Sequence, residues 1–247
     1  MDTVTAPSRL RKFGLPLLFA VLGVLAGVWW QAHRTATNPA GGMASGERAA
    51  IESVVHDYLL EHPEVLPKAM ENLAHKQNAA QLAGIRSELE SPWPGEVLGN
   101  PKGKVTLVEF TDFACTYCRR SVEDVEALIG ANPDLRVVVR QLPILSPESA
   151  DAARMGMAAA AQGKYAAFHK AMFAAGRPDA QSIQAAAQVA GVDLARASKV
   201  ISDPLTEQAL ARNIDYARQL GLNGTPSWVI GDALLSGAVG REKLAEA

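Results

Sequence analysis

An uncharged apolar run, FGLPLLFAVLGVLAGVWW at residues 13–30, divides the chain before any folding argument begins. As a helix its 18 residues would span roughly 27 Å, close to the hydrocarbon thickness of a bilayer. Arg9, Arg11 and Lys12 precede it, which favours keeping residues 1–12 in the cytoplasm, and Trp29 and Trp30 suit the far interface. A cleaved signal peptide normally has an apolar core of about 7–15 residues with a small-residue site soon after. Here the run is longer, and QAHRTATNPAGG offers only weak sites. The run is therefore predicted to be an uncleaved, single-pass signal anchor in a bacterial inner membrane. Cleavage to a free periplasmic protein is the alternative. Either way the rest of the chain is exported.

Export decides how the cysteines are read. The 247 residues contain two, Cys115 and Cys118, in the stretch VEFTDFACTYCRR. An oxidising compartment permits disulfides, but a structural one ties distant segments together, and a bridge three residues apart closes almost no loop. The pair is not placed there for stability.

The whole chain has ordinary globular composition, 48% hydrophobic and 20% charged, and a formal net charge of −2. No basic stripe with interleaved aromatics occurs, which argues against a nucleic-acid partner. Residues 31–45 are predicted to be a small, flexible tether. Within 46–90, Ile51, Val54, Val55, Tyr58 and Leu59 form one apolar helical stripe, interrupted at His62 and Pro63. Leu66, Met70, Leu73, Gln77, Ala80 and Gly84 continue as a weakening heptad-like seam. This arm is predicted to pack on its own globular domain or to form homo-oligomers. A lipid surface fits less well, because its polar face is not basic. SPWPGEVLGNPKGK then marks a domain boundary.

From residue 97 the pattern reads β-α-β, a helical insertion over about 147–220, then β-β-α. VTLVEF and LRVVVRQLPIL are buried strands, 115–130 is a helix, and two strands meet at Gly231 and Asp232. Cys115 therefore sits where a strand ends and a helix begins. Unpaired N–H groups and the helix dipole there stabilise an anion, lowering a thiol pKa. Cys118 lies one turn on, and Arg119 and Arg120 add positive charge. Thiol–disulfide exchange is the natural chemistry, with Cys115 attacking or attacked and Cys118 resolving. A zinc site needs about four ligands, and no histidine pair has metal spacing. A two-coordinate Cu(I) site on the same thiols stays open. Glu109, in the middle of an apolar strand, is either a solvent-facing edge carboxylate or a buried acid placed to exchange a proton with Cys118. GTPSWVI suggests a cis bond between Thr225 and Pro226 beside the thiols.

VLGNPKGKVTLVEFTDFACTYC, KYAAFHKAMF and LGLNGTPSWVIGDALLSGA together resemble the DsbA-like branch of the thioredoxin superfamily, over about residues 97–247. IESVVHDYLLEHPEVLPKAMENL resembles the N-terminal arm of its ScsC-like subgroup, in which such arms mediate oligomerisation. The resemblance implies an α/β thioredoxin fold with a helical insertion behind a helical arm. It implies that Cys115 is an exposed nucleophile and Cys118 a buried resolving thiol, that Glu109 is the family's buried acid, and that Thr225 and Pro226 form the cis-proline loop. Substrate peptide would lie along that loop and beside Thr116 and Tyr117. The reversible disulfide itself would serve in place of any cofactor. Cysteine-containing exported proteins and a membrane redox partner are the implied partners. The dipeptide Thr116–Tyr117 departs from the Pro–His of strongly oxidising members, and a Thr before the cis proline resembles isomerase-type members. Oxidase, isomerase and reductase directions all stay open, as does a copper-handling or chaperone-like binding role on the same surface.

Overall fold

The computed structural model describes residues 23–31 and 44–247. The segment 1–12, residues 13–22 of the predicted anchor and residues 32–43 of the tether lie outside the described residues; residues 23–31 are helical. No helix among the described residues is long and apolar enough to cross a membrane, so the described part of 13–30 supplies no spanning helix.

The chain divides into two compact units with the boundary between Ala69 and Met70. In the first, no residue of α1 (Ser45–Glu61) is buried. Its stripe stays open, with Ile51, Val54, Val55 and Tyr58 all exposed. The helix stops at His62, ahead of Pro63, because a residue before proline is driven out of the helical region. The boundary itself falls within α2 (Val65–Ala83).

The second unit is built on a five-stranded sheet of order β1-β3-β2-β4-β5. Its strands are β1 (Val97–Gly99), β2 (Val105–Thr111), β3 (Leu135–Gln141), β4 (Ser227–Ile230) and β5 (Ala233–Ser236). After the short α3 (Arg86–Leu89), β2 and β3 pair in parallel across α4 (Thr116–Ala131), and the other pairs are antiparallel. The segment between β3 and β4 is helical: α5 (Pro147–Ala160), α6 (Tyr165–Ala175), α7 (Ala180–Val189), α8 (Leu194–Ile201) and α9 (Pro204–Gln219). The side chains of Ser146, Asp179, Asp193 and Asp203 cap four of these helices by accepting N–H bonds from their first turns. β4 and β5 join through Gly231 and Asp232, with positive φ at the glycine alone (53°), as a type II′ hairpin turn needs. α10 (Arg241–Glu246) closes the fold.

Edge strand β1 is a correction to the sequence reading, which took its segment as linker. Three residues are too few to show a period of two, and Gly95 and Gly99, both at positive φ, bracket it. Its register comes from β3, 37 to 41 positions away in sequence.

Alternation along β2 separates the two faces of the sheet. Val108 and Phe110 pack with Val138, Val229, Tyr216 and the arm's own Leu82 and Leu89. Leu107 packs on the other face with Val137, Val139, Trp228, Tyr165 and Val125 of α4. Glu109 and Thr111 share that second face, which leads to the cysteines.

Candidate active site

β2 ends at Thr111, and Asp112, Phe113 and Ala114 turn the chain into α4. Cys115 is the N-cap: its backbone is extended (φ −79°, ψ 118°), and its Sγ accepts the N–H of Cys118 at 3.2 Å. The turn is braced by Asp112, a buried residue that neither motif nor resemblance singled out. Its carboxylate accepts the N–H groups of Ala114 (2.8 Å), Ile144 (2.9 Å) and Leu145 (3.0 Å), and its carbonyl accepts that of Cys115 (2.9 Å). The only sequence sign of this was an Asp at a strand end, where Asx turns are common.

Across from the turn, the Thr225–Pro226 bond is cis. The Cys115 thiol donates to the Thr225 carbonyl at 3.2 Å. Phe110 of β2 registers with Ser227 of β4, so the sheet itself delivers this loop to the cysteine. Both cysteines are free thiols. Cys115 is more covered than an exposed nucleophile was expected to be, at 4% against 0% for Cys118. The first turn of α4 and the Thr225 carbonyl close over its sulfur. Thr116 and Tyr117 are exposed, Tyr117 at 59%.

The two thiols sit in opposite electrostatic settings. The hydrogen bond from the Cys118 thiol lowers the Cys115 pKa to about 6 against partial burial, helped by Thr225 and the backbone N–H groups of Cys118 and Tyr117. These groups, rather than Arg119 and Arg120, account for the depression. Arg120 lies over the Tyr117 ring at 5.7 Å. Burial first, then the bond to Cys115, drives Cys118 far above the ordinary thiol range. These opposite shifts favour ionisation of Cys115 over that of Cys118 near neutral pH.

Glu109 is a buried acid, 2% exposed, set between Val139 and Trp228 in the register. Burial raises its pKa to about 8, so near neutrality it can hold a proton or release one. A solvent-facing edge carboxylate is excluded by its place in the sheet. His169 packs against Phe113, Tyr165 and Phe173 behind the turn, and burial holds it neutral with a pKa of about 4. Among the described residues no group of three or more His, Cys, Asp or Glu side chains is placed to hold a metal ion.

The arrangement can do one kind of chemistry well. It presents a stabilised sulfur anion, a second sulfur within reach, a backbone carbonyl beside the first and a buried carboxyl behind the second.

Residues 106–247 match the family model described as a DSBA-like thioredoxin domain, and residues 47–80 match that of the copper resistance protein ScsC N-terminal domain. Among solved structures, the chain is similar to a thioredoxin-like oxidoreductase from Silicibacter pomeroyi DSS-3, with 41% identity, a TM-score of 0.58, and 61% of this chain and 87% of that one covered. A linker-deletion variant of Proteus mirabilis ScsC is 26% identical with a TM-score of 0.63, covering 84% of this chain and 95% of its own. The thiol–disulfide exchange protein alpha-DsbA2 of Wolbachia pipientis is 27% identical with a TM-score of 0.63, covering 72% and 95%. Curated relatives include an Na(+)/H(+) antiporter NhaA from Herminiimonas arsenicoxydans, 28% identical over 166 residues; the chain spans 26% of its length.

Proposed function

This chain belongs to the DSBA-like thioredoxin-domain family, and from that premise we propose that it is a periplasmic thiol–disulfide oxidoreductase, forming or rearranging disulfides in exported proteins. The observation that carries this reading is the asymmetry of the thiols: Cys115 caps a helix and is stabilised as an anion, while Cys118 is buried and held neutral.

In the oxidising direction, a substrate thiolate attacks Sγ of Cys115 in the Cys115–Cys118 disulfide. The bond between the two cysteines breaks, and Cys118 leaves as a thiolate that takes a proton from Glu109. The substrate's second thiolate then attacks the mixed disulfide and releases Cys115 as the stabilised anion. The protein gains two electrons and the substrate gains a disulfide. In reverse, the reduced pair opens or shuffles wrong disulfides. The Thr225 carbonyl, which the Cys115 thiol meets, supports strand-like pairing with a substrate backbone along the cis-proline loop. Residues 13–30 anchor the protein in the inner membrane, and residues 46–90, with their exposed stripe, form a homo-oligomer. A membrane redox partner resets the disulfide.

Cys118→Ala tests the reading, because it leaves Cys115 to trap substrates as mixed disulfides. Such species should appear in periplasmic extracts, and their absence overturns the proposal. Reduction potential sets the direction: about −120 mV marks an oxidant and about −270 mV a thioredoxin-like reductant. The match of residues 47–80 to the N-terminal domain of the copper resistance protein ScsC favours one second reading, Cu(I) held by the two thiolates. Tight Cu(I) retention with no trapped substrate would support it instead.

A further inference from the structure

Thr111 is a buried hydroxyl at the end of the strand that carries Glu109 and leads to the cysteines. It stands two residues after Glu109 on β2, so both side chains project from the same face of the sheet. It is 0% exposed, and its register partner is Gln141. Its hydroxyl makes no hydrogen bond of ordinary geometry with any group among the described residues. Two ionisable groups nevertheless feel that hydroxyl directly, the Glu109 carboxyl and the Cys118 thiol. Leaving a buried hydroxyl unbonded is unfavourable, and such groups in native proteins call for an explanation, a catalytic role among them. A wholly buried strand position would be filled more cheaply by valine, which has the same shape and no polar group.

We propose that the Thr111 hydroxyl relays the proton between Cys118 and Glu109. A hydroxyl can donate one proton while accepting another. When the mixed disulfide between Cys115 and a substrate is resolved, Thr111 gives its proton to the Glu109 carboxylate and takes the proton of the Cys118 thiol. The Cys118 thiolate attacks Sγ of Cys115, the new disulfide forms, and the substrate leaves as a thiolate. In the oxidising direction the same path runs backward, from a neutral Glu109 to the departing Cys118. No net proton or electron is lost by Thr111 in either direction. Catalytic hydrogen bonds are often long or misaligned before the reacting complex forms, and they tighten within it. The loose contacts of Thr111 on both sides in the dithiol state fit a group that bonds only during transfer.

This inference rests on the oxidoreductase reading, and its test separates the two. A mixed disulfide is formed between Cys115 and a cysteine-containing peptide on the full-length protein, and its resolution by Cys118 is followed by rapid mixing across pH. Thr111→Val should slow resolution by at least about tenfold and remove its dependence on Glu109 ionisation, while Thr111→Ser stays within about twofold of wild type. Alkylation of Cys115 by iodoacetamide should keep its pH midpoint in all three, because the nucleophile is untouched. A merely structural Thr111 predicts the opposite ranking: valine equal to wild type or faster, and more stable. Thr111→Ala, also without the hydroxyl but smaller, must slow resolution like valine; resolution at the wild-type rate in either variant overturns the relay. A wild-type protein that never resolves the mixed disulfide overturns the oxidoreductase reading itself, and the relay with it.

Discussion

Two regions at the same end of the sheet bury polar groups, and they do it in opposite ways. Beside β1, Arg140 is 7% exposed, and its guanidinium donates to the carbonyls of Glu88, Leu89 and Ser91 and to Asn213 Oδ1. Close to it, Glu96 accepts from Gln141 at 2.8 Å, and the same amide donates to the Tyr165 hydroxyl at 2.9 Å. Arg140, Glu96, Glu88 and Asn213 line a cavity of about 580 Å³ with Trp93 and Arg212. Beside β4, by contrast, the buried hydroxyls of Thr111 and Thr225 have no hydrogen-bond partner among the described residues, and the two cysteines are free thiols. Glu96 and Glu109 each have a pKa raised by burial to about 8, so a perturbed acid alone does not distinguish the regions. What distinguishes them is whether partners are already in place. Among the described groups of the Arg140 region only Gln141 Oε1 lacks a partner, and the bonds there hold the segment before β1 onto the sheet. The cysteine region keeps its bonding capacity for a reaction.

The largest effect should separate activity from stability. Cys115→Ser should abolish disulfide exchange in an insulin-reduction assay with little change in the unfolding midpoint. Arg140→Met should do the reverse. It leaves four acceptors without their shared donor and should cost about 3–5 kcal/mol in denaturant unfolding, while the folded fraction exchanges disulfides at the wild-type rate. If Arg140→Met instead slowed exchange without loss of stability, the division between the regions would fail.

A smaller contrast lies between the two acids. Glu109→Gln should slow the steps that make or protonate the Cys118 thiolate by about 10²-fold, whereas Glu96→Gln should leave them unchanged. On stability the acids should act alike. Each has a folded pKa raised above its unfolded value of 4.5, so its contribution is fully present below about pH 4.5 and is lost as pH climbs through about 8. Chemical unfolding across that window should show stability declining by a few kcal/mol for each acid, and either glutamine variant should flatten its share.

The parts of the site that could be read from sequence are those set by local neighbours. Cys115 and Cys118 lie on one turn of one helix, Glu109 sits on the strand feeding it, and the Thr225–Pro226 bond is announced by its own motif. Asp112, Glu96 and Arg140 were invisible for a physical reason. Their roles depend on strands and loops brought together over long sequence separations: Arg140 to Leu89 spans 51 residues and Asp112 to Ile144 spans 32. The covering of Cys115 was missed likewise, since the carbonyl lying over it belongs to Thr225, 110 residues away. Strand β1 failed on length, being too short to show its pairing without β3.

The asymmetry between the thiols underlies the whole account, and a pH titration of their alkylation tests it most directly. In the reduced full-length protein, mass spectrometry after brief iodoacetamide treatment should find label on Cys115 with a midpoint near pH 6, and Cys118 unlabelled across the range. Equal labelling of both cysteines, or a Cys115 midpoint at the ordinary thiol value of about 8.5, would contradict it.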